Sequence, residues 1–220
     1  MNDEAALRTG LVAALERLDA LGLNRGSTGN LSHRLAHDGQ DGMLITPTGM
    51  GADDLRPEDL VWVGDDGTLR GDWQPSSESP FHAAIYRARP DLHAVVHTHS
   101  PNAAALACLR RALPAFHYMV AVAGGGDVPC VPYHLFGSEA LSEAVAAAFA
   151  SRDACLMAHH GLVAGGATIA KAMKVALEIE SLCEVYLKAL ATGREPVVLD
   201  AAQMAEVIER FRSYGKVARR

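Results

Sequence analysis

A layered α/β domain is what this 220-residue sequence predicts, and three observations predict it. Apolar residues recur at helical spacing in some segments and as short β-branched runs in others, and the two kinds interleave along the whole chain. The composition, 49% hydrophobic and 21% charged, supports one sizeable core and is too short for two. No internal repeat or linker-like stretch interrupts the pattern, so residues 1–220 read as a single domain. With aromatics at only 5%, the core is expected to be aliphatic.

The elements follow in order. Leu7, Leu11, Ala14, Leu18 and Leu21 mark a first helix, which Gly22 stops. Arg25 to Asn30 reads as a loop, Leu31 to Leu35 as a strand, and Met43 to Thr46 as a second strand ended by the turn Pro47-Thr48-Gly49. Leu60 to Val63 and Thr68 to Trp73 pair as a hairpin around Asp65-Asp66-Gly67. Ser79, as a capping hydroxyl, and Pro80 start a helix that runs to about Arg89, where Pro90 disfavours continuation. Leu92 to Thr98 holds the β-branched run of a buried strand, and Pro101 to Arg111 is apolar and helical. The glycine-rich residues 123–127 read as a flexible turn. Ser138 to Ala150 is an Ala-rich helix and Cys155 to Ala158 a short strand. The longest helix starts near Thr168 and ends before Gly193, with Ala172, Val175, Ile179, Leu182, Tyr186 and Ala189 as its core stripe. Asp200 and Gln203 form a capping box for a last helix through Phe211.

Charge and composition narrow the function. The net charge is −6 without any block of Lys or Arg, which argues against nucleic acid or an anionic membrane as partner. An anionic substrate must therefore be held by local donors or a metal. The acidic start Met1-Asn2-Asp3-Glu4 lacks a signal-peptide pattern, and no apolar run reaches the length of a membrane span. Cys108, Cys130, Cys155 and Cys183 are scattered, so buried free thiols in a cytoplasmic protein are expected rather than a disulfide framework.

His97 and His99 carry the most information. Two positions apart on a strand, their side chains emerge on one face and can offer two imidazole nitrogens to one ion. A third ligand is then needed, and Ala158-His159-His160-Gly161 supplies candidates at the end of another apolar strand. Three His with one open position is the usual plan of catalytic zinc. A carboxylate, Glu78, sits at the start of a helix that precedes both segments in the chain. His33, His37, His93 and His134 read as structural or solvated, and His82 and His117 stay undecided.

Three stretches are rich in hydroxyls and backbone amides: Gly26-Ser27-Thr28-Gly29-Asn30, Thr46-Pro47-Thr48-Gly49 and Ser76-Ser77. Each could present donors to an anion, although such loops are also ordinary turn chemistry. No P-loop and no strand–GxGxxG–helix unit occurs, so nucleotide binding is not supported.

Together these segments resemble the class II aldolase and adducin-head family, in the branch that includes L-fuculose-phosphate aldolase. The resemblance rests on Gly26 to Ser32, Leu44 to Gly49, Ser76-Ser77-Glu78, His97-Thr98-His99 and His159-His160-Gly161-Leu162. It extends to Pro114 to Met119, Val131-Pro132-Tyr133 through Phe136-Gly137, and Phe211 to Gly215. It implies a three-layer α/β/α sandwich around a mixed, mostly antiparallel sheet. It also implies His97, His99 and His160 as zinc ligands, with Co²⁺ or Mn²⁺ as possible alternatives. Glu78 matches the catalytic carboxylate, which can also sit on the metal. Ser27, Asn30, Thr48, Gly49, Ser76 and Ser77 match the phosphate pocket. Tyr118 matches a catalytic tyrosine supplied by the neighbouring subunit of a homotetramer, and Phe136 and Tyr214 match residues near the aldehyde end of the substrate.

The implied reaction is retro-aldol cleavage of a ketose 1-phosphate, such as L-fuculose 1-phosphate, to dihydroxyacetone phosphate and a small aldehyde such as lactaldehyde. It leaves negative charge on the ketone oxygen, which a divalent cation stabilises as a Lewis acid. No Lys lies within the site motifs, so no Schiff base is expected. Tyr118 is assigned to take the proton from the C4 hydroxyl and Glu78 to protonate the carbon left behind. Competing readings on the same metal site are a decarboxylase, a dehydratase or a 4-epimerase of a phosphorylated sugar or sugar acid. A Glu after Ser76-Ser77, where the epimerases carry Asp, speaks against the last. A non-catalytic binding module, as in the adducin head, lacks the metal site, and the set His97, His99, His160 and Glu78 argues against it.

Overall fold

A computed structural model describes residues 4–213, and Tyr214 lies outside them. Eight strands form one sheet: β1 (Asn30–Arg34), β2 (Gly42–Ile45), β3 (Val61–Gly64), β4 (Leu69–Arg70), β5 (Ala94–Thr98), β6 (Cys130–Val131), β7 (Ala154–Met157) and β8 (Gly161–Gly166). Their order is β4-β3-β2-β1-β5-β8-β7-β6. Every pairing is antiparallel except β6 with β7, so the sheet is mixed and mostly antiparallel. Helices α1 (Glu4–Ala20), α3 (Pro101–Cys108) and α5 (Ile169–Leu190) cover one face. Helices α2 (Ser79–Ala88) and α4 (Glu139–Phe149) cover the other. The result is a three-layer α/β/α sandwich, and α6 (Ala201–Ser213) packs on a 3-10 helix, Tyr118–Ala123.

The period of two along each strand divides the core. Leu31, Leu44, Val96, Leu156 and Leu162 face α1, α3 and α5, while Met43, Ile45, Val95, Cys155, Met157 and Val163 face α2 and α4. Both sheet faces are dry, which explains why the central strands read as continuous apolar runs. On α5, Thr168 accepts a hydrogen bond from the Lys171 amide, and Ala172, Val175, Ile179, Leu182 and Tyr186 are buried as the stripe requires. The capping box of α6 is present, with Asp200 N–H donating to Gln203 and Gln203 N–H to Asp200 at 2.9 and 2.8 Å.

Several expectations are corrected. The cap residue of α2 is Glu78, which puts Ser79 and Pro80 inside the first turn. Helix α3 stops at Cys108 because Arg110 takes a left-handed conformation, φ 53°. Helix α1 stops at Ala20, which leaves Leu21 exposed. Among the thiols, Cys155 and Cys183 are buried but Cys108 is exposed and Cys130 only partly covered. Residues 123–127 are pinned rather than loose: Asp153 N–H donates to Ala123 O, and Arg152 Nε to Asp127 Oδ1 at 2.9 Å. Strand β8 carries no sequence signal because three of its six residues are glycine. A Cβ on Gly165 would stand 2.8 Å from Leu92 and 2.9 Å from Phe149, so close packing demands the residue that hides the strand.

Candidate metal centre and cavity

Strand alternation and register assemble the centre. His97 shares the α2-facing side of β5 with Val95, and Asn30 on β1 pairs directly opposite it. Asn30 and Ser32 therefore also face α2, whose N-terminus brings Glu78. His99 follows two residues after His97, just beyond the strand end. His160 comes from the tight turn between β7 and β8, where His159 adopts φ 58°. The turn lies close because Gly161 follows it: a Cβ there would be 2.4 Å from Thr98 O.

Glu78, His97, His99 and His160 each offer a ligand atom, and these atoms lie within 4.8 Å of one another. Glu78 Oε2 is 3.1 Å from His97 Nε2, Glu78 Oε1 is 3.0 Å from His160 Nε2, and the Nε2 atoms of His97 and His99 are 3.0 Å apart. The protonation pattern follows from the partners. Leu162 O can only accept, so His97 carries its proton on Nδ1, 3.0 Å away, and leaves Nε2 bare toward the cluster. A carboxylate only accepts, so Asn30 Nδ2 donates to Glu78 Oε2 at 2.8 Å, which turns Asn30 Oδ1 to His82 Nε2–H at 2.6 Å. His82 Nδ1 then accepts from the Ser32 hydroxyl at 2.7 Å, and Ser32 Oγ stands 2.8 Å from the Tyr86 hydroxyl. His82, undecided from sequence, is thus a buried link in the chain that orients Asn30 and Glu78.

Electrostatics agree with this wiring. Burial pushes the His82 imidazole down to about 3, helped by neighbouring His97 and opposed by Glu78, so it stays neutral. Burial, His97 and His160 lower His99 to about 4. Burial alone would raise the Glu78 carboxyl, but His97 and His160 overcome it and hold the group well below the usual carboxylate range. Glu78 Oε1 is nevertheless buried without a hydrogen bond of acceptable geometry.

These residues fit a divalent cation. Three imidazoles and a carboxylate are the donor set of a catalytic zinc site. Such ligands stand about 2.1 Å from zinc and hence roughly 3.4 Å from one another, the scale of the contacts found here. Bare nitrogens facing one another and an orphaned buried carboxylate oxygen are costly without an ion between them. The Leu162 carbonyl behind His97 supplies the outer support that such ligands need.

The cluster opens into a cavity of about 660 Å³. One wall is Ser27, Thr28, Gly29, Asn30, Pro47, Thr48, Gly49, Ser76 and Ser77, which brings together all six residues matched to a phosphate pocket. Tyr133, His134, Phe136 and His159 also line the cavity. Phe136, matched to the aldehyde end of the substrate, lines the cavity and is 62% exposed. His134 is not merely solvated, since it lines the cavity. His159, set aside in favour of His160, is a wall residue whose Nε2 accepts from Arg110 at 2.8 Å. Tyr133 and His134 carried no chemical signal in sequence, since neither belongs to a ligand-spaced pattern. Tyr118 is 50% exposed, stacks on His117 and does not line this cavity. His117 accepts from the Met119 amide, a structural role.

Fold and site together define an α/β protein with a Glu/His cluster that could hold a divalent cation, beside a cavity lined by hydroxyls and amides. The profile of the class II aldolase and adducin N-terminal domain family matches residues 9–187, and the chain belongs to that family as a metal-dependent class II aldolase. It is 50% identical over 210 residues to the 5-methylthioribulose-1-phosphate/5-deoxyribulose-1-phosphate aldolase of Rhodospirillum rubrum, covering 96% of this chain and 93% of the relative. It is 45% identical to the L-fuculose phosphate aldolase of Escherichia coli K12, covering 89% of each. A solved L-fuculose 1-phosphate aldolase superposes with a TM-score of 0.87 at 36% identity, covering 93% of this chain and 95% of that one.

Proposed function

We propose that the protein cleaves a ketose 1-phosphate to dihydroxyacetone phosphate and a small aldehyde at the Glu78/His97/His99/His160 centre. The observation that carries this reading is the contiguity of that centre with a wall of hydroxyls and amides in one cavity. A divalent cation held by the three imidazoles, zinc by donor type, would supply a Lewis acid for the charge developing on the ketone oxygen. Ser27, Asn30, Thr48, Gly49, Ser76 and Ser77 would bind the phosphate. The hydroxyls of Ser27, Thr48 and Ser77 belong to residues that line the cavity, within reach of a phosphate bound there. Glu78, fixed by Asn30 and ionised in the empty site, would first take up a proton as substrate binds and then pass it to C3. Tyr118, reaching the cavity of a neighbouring subunit in a homotetramer, would take the proton from the C4 hydroxyl. Its exposure supports that role, and Tyr214 would join it near the aldehyde end.

Tyr133 and Phe136 at the cavity mouth favour substrates whose far end is apolar. That suits the methyl end of L-fuculose 1-phosphate. It suits equally the 5-deoxy or 5-methylthio pentulose 1-phosphates named for the Rhodospirillum relative, and this is the second reading. No helix among the described residues is long and apolar enough to cross a membrane, and burial raises the Cys155 and Cys183 thiols out of reactive range. A cytoplasmic location is proposed on the free cysteines, since thiols persist unpaired in a reducing compartment. The test is a panel of ketose 1-phosphates assayed for dihydroxyacetone phosphate. Release from none of them would overturn the proposal, and the fastest substrate decides between the two readings.

A further inference from the structure

Asn24 is the buried polar residue that nothing above uses. It follows Leu23 at the end of the α1 connection, is 3% exposed, and neither Nδ2 nor Oδ1 has a hydrogen-bond partner. Buried carboxamides are normally satisfied, and one orphaned at both ends calls for a reason. Its place supplies one. The Asn24 carboxamide fills the space in front of Gly29: a Cβ on Gly29 would be 2.4 Å from Oδ1 and 2.6 Å from Nδ2. Gly29, at φ 76°, belongs to the loop whose Ser27, Thr28, Gly29 and Asn30 line the cavity. Thr28 already closes that loop on itself, its hydroxyl donating to Arg25 O at 2.8 Å and its amide to the same oxygen at 3.3 Å. The turn is thus a small closed unit that meets the unpaired amide of Asn24 at Gly29 and also lines the cavity.

We propose that Asn24 is a positioning residue for the anion-binding loop. Its carboxamide gains hydrogen bonds to the backbone of residues 26–29 when a phosphate group draws that loop into its bound position. An amide unsatisfied in the empty state and bonded in the filled state favours the filled state, because the desolvation cost of the amide is already met before the ligand arrives. The inference rests on the phosphate pocket proposed above.

The test compares Asn24→Leu with wild type, since leucine keeps the branched arrangement of four side-chain heavy atoms and removes both polar ones. A lost net hydrogen bond is worth about 0.5–1.5 kcal/mol, so KM for a phosphorylated ketose and Kd for inorganic phosphate should each rise about 2- to 13-fold. The ligand-free melting temperature should hold or rise, because an orphaned polar group has been removed, and kcat should change less than KM. A residue that merely anchors the loop, or one satisfied by a trapped water, gives the opposite pattern: a lower melting temperature with unchanged phosphate affinity. That outcome overturns the proposal. Amide exchange on wild type covers the case of a variant that fails to fold. Added phosphate should slow exchange at residues 26–29, and unchanged rates there overturn the idea equally. Ser77→Ala run in parallel separates the two readings. If it weakens phosphate binding while Asn24→Leu does not, only this inference falls; if neither does, the pocket itself is misplaced.

Discussion

Two glutamates are buried to almost the same degree, Glu78 at 8% exposure and Glu180 at 9%, and they do opposite things. Glu180, on α5, is fully engaged: Oε1 accepts from the Asn102 amide and side chain at 2.9 and 2.8 Å, and Oε2 accepts from the Ala103 amide at 2.8 Å. It closes the N-terminus of α3, where free amides and the helix dipole both favour a carboxylate. Glu78 also stands at a helix start, yet its side chain makes no capping bond. It turns instead to His97 and His160 and keeps one oxygen without a hydrogen bond. Burial alone does not mark a functional acid. What separates the two is whether the donors around the carboxylate already use it up.

The comparison can be broken at several points. The largest effect is expected from metal removal: a chelator, or His160→Ala, should abolish activity, and zinc should restore the chelated wild type. Full turnover in a sample shown to be metal-free would sink the role given to the Glu78 cluster. Next comes Glu78→Gln, which keeps size but loses the transferable proton. Its kcat should fall by about 10²–10⁴-fold with metal content held by the three imidazoles. Unchanged turnover would make Glu78 a structural residue like Glu180.

Glu180→Gln should do the reverse. Turning an amide NH₂ toward backbone donors costs on the order of 1–3 kcal/mol, read as a lower urea midpoint, while kcat stays near wild type. A large loss of kcat with normal stability would erase the contrast. The smallest effect concerns acid. His82 is held neutral down to about 3 in the fold but protonates near 6.5 once unfolded, so the unfolded chain binds the extra proton between those values. Stability should therefore fall as pH drops from about 6.5 toward 3 and level off below. In His82→Gln the slope of urea midpoint against pH should be shallower, and an identical slope would show that His82 is not the group responsible.

The sequence carried the ligand-bearing segments because metal chemistry leaves few substitutes. His-x-His on a strand is recognisable from spacing and residue type alone, whereas spacing left His159 and His160 both open and only the family resemblance pointed to His160. Hydroxyl-rich loops were legible only as candidates, since Gly, Ser and Asn serve turns equally well. The helices with strong periodicity and caps, α5 and α6 above all, were also readable, because their signals lie within a few residues of one another. By contrast, β8 was silent, as its glycines answer to Leu92, Phe149 and Thr98, which are remote in sequence.

What the sequence by itself determined was therefore the α/β framework and a cluster of candidate metal donors, read from local spacing and donor type, while the hydroxyl-rich loops became a candidate pocket only through the family resemblance. Only the tertiary structure decided which groups are used up and which are left over. The Asn30–His82–Ser32 chain, the setting of Glu78 and the full engagement of Glu180 all depend on partners tens of residues away. Hydrogen-bond satisfaction is a property of three-dimensional neighbours, and no pattern along the chain encodes it directly.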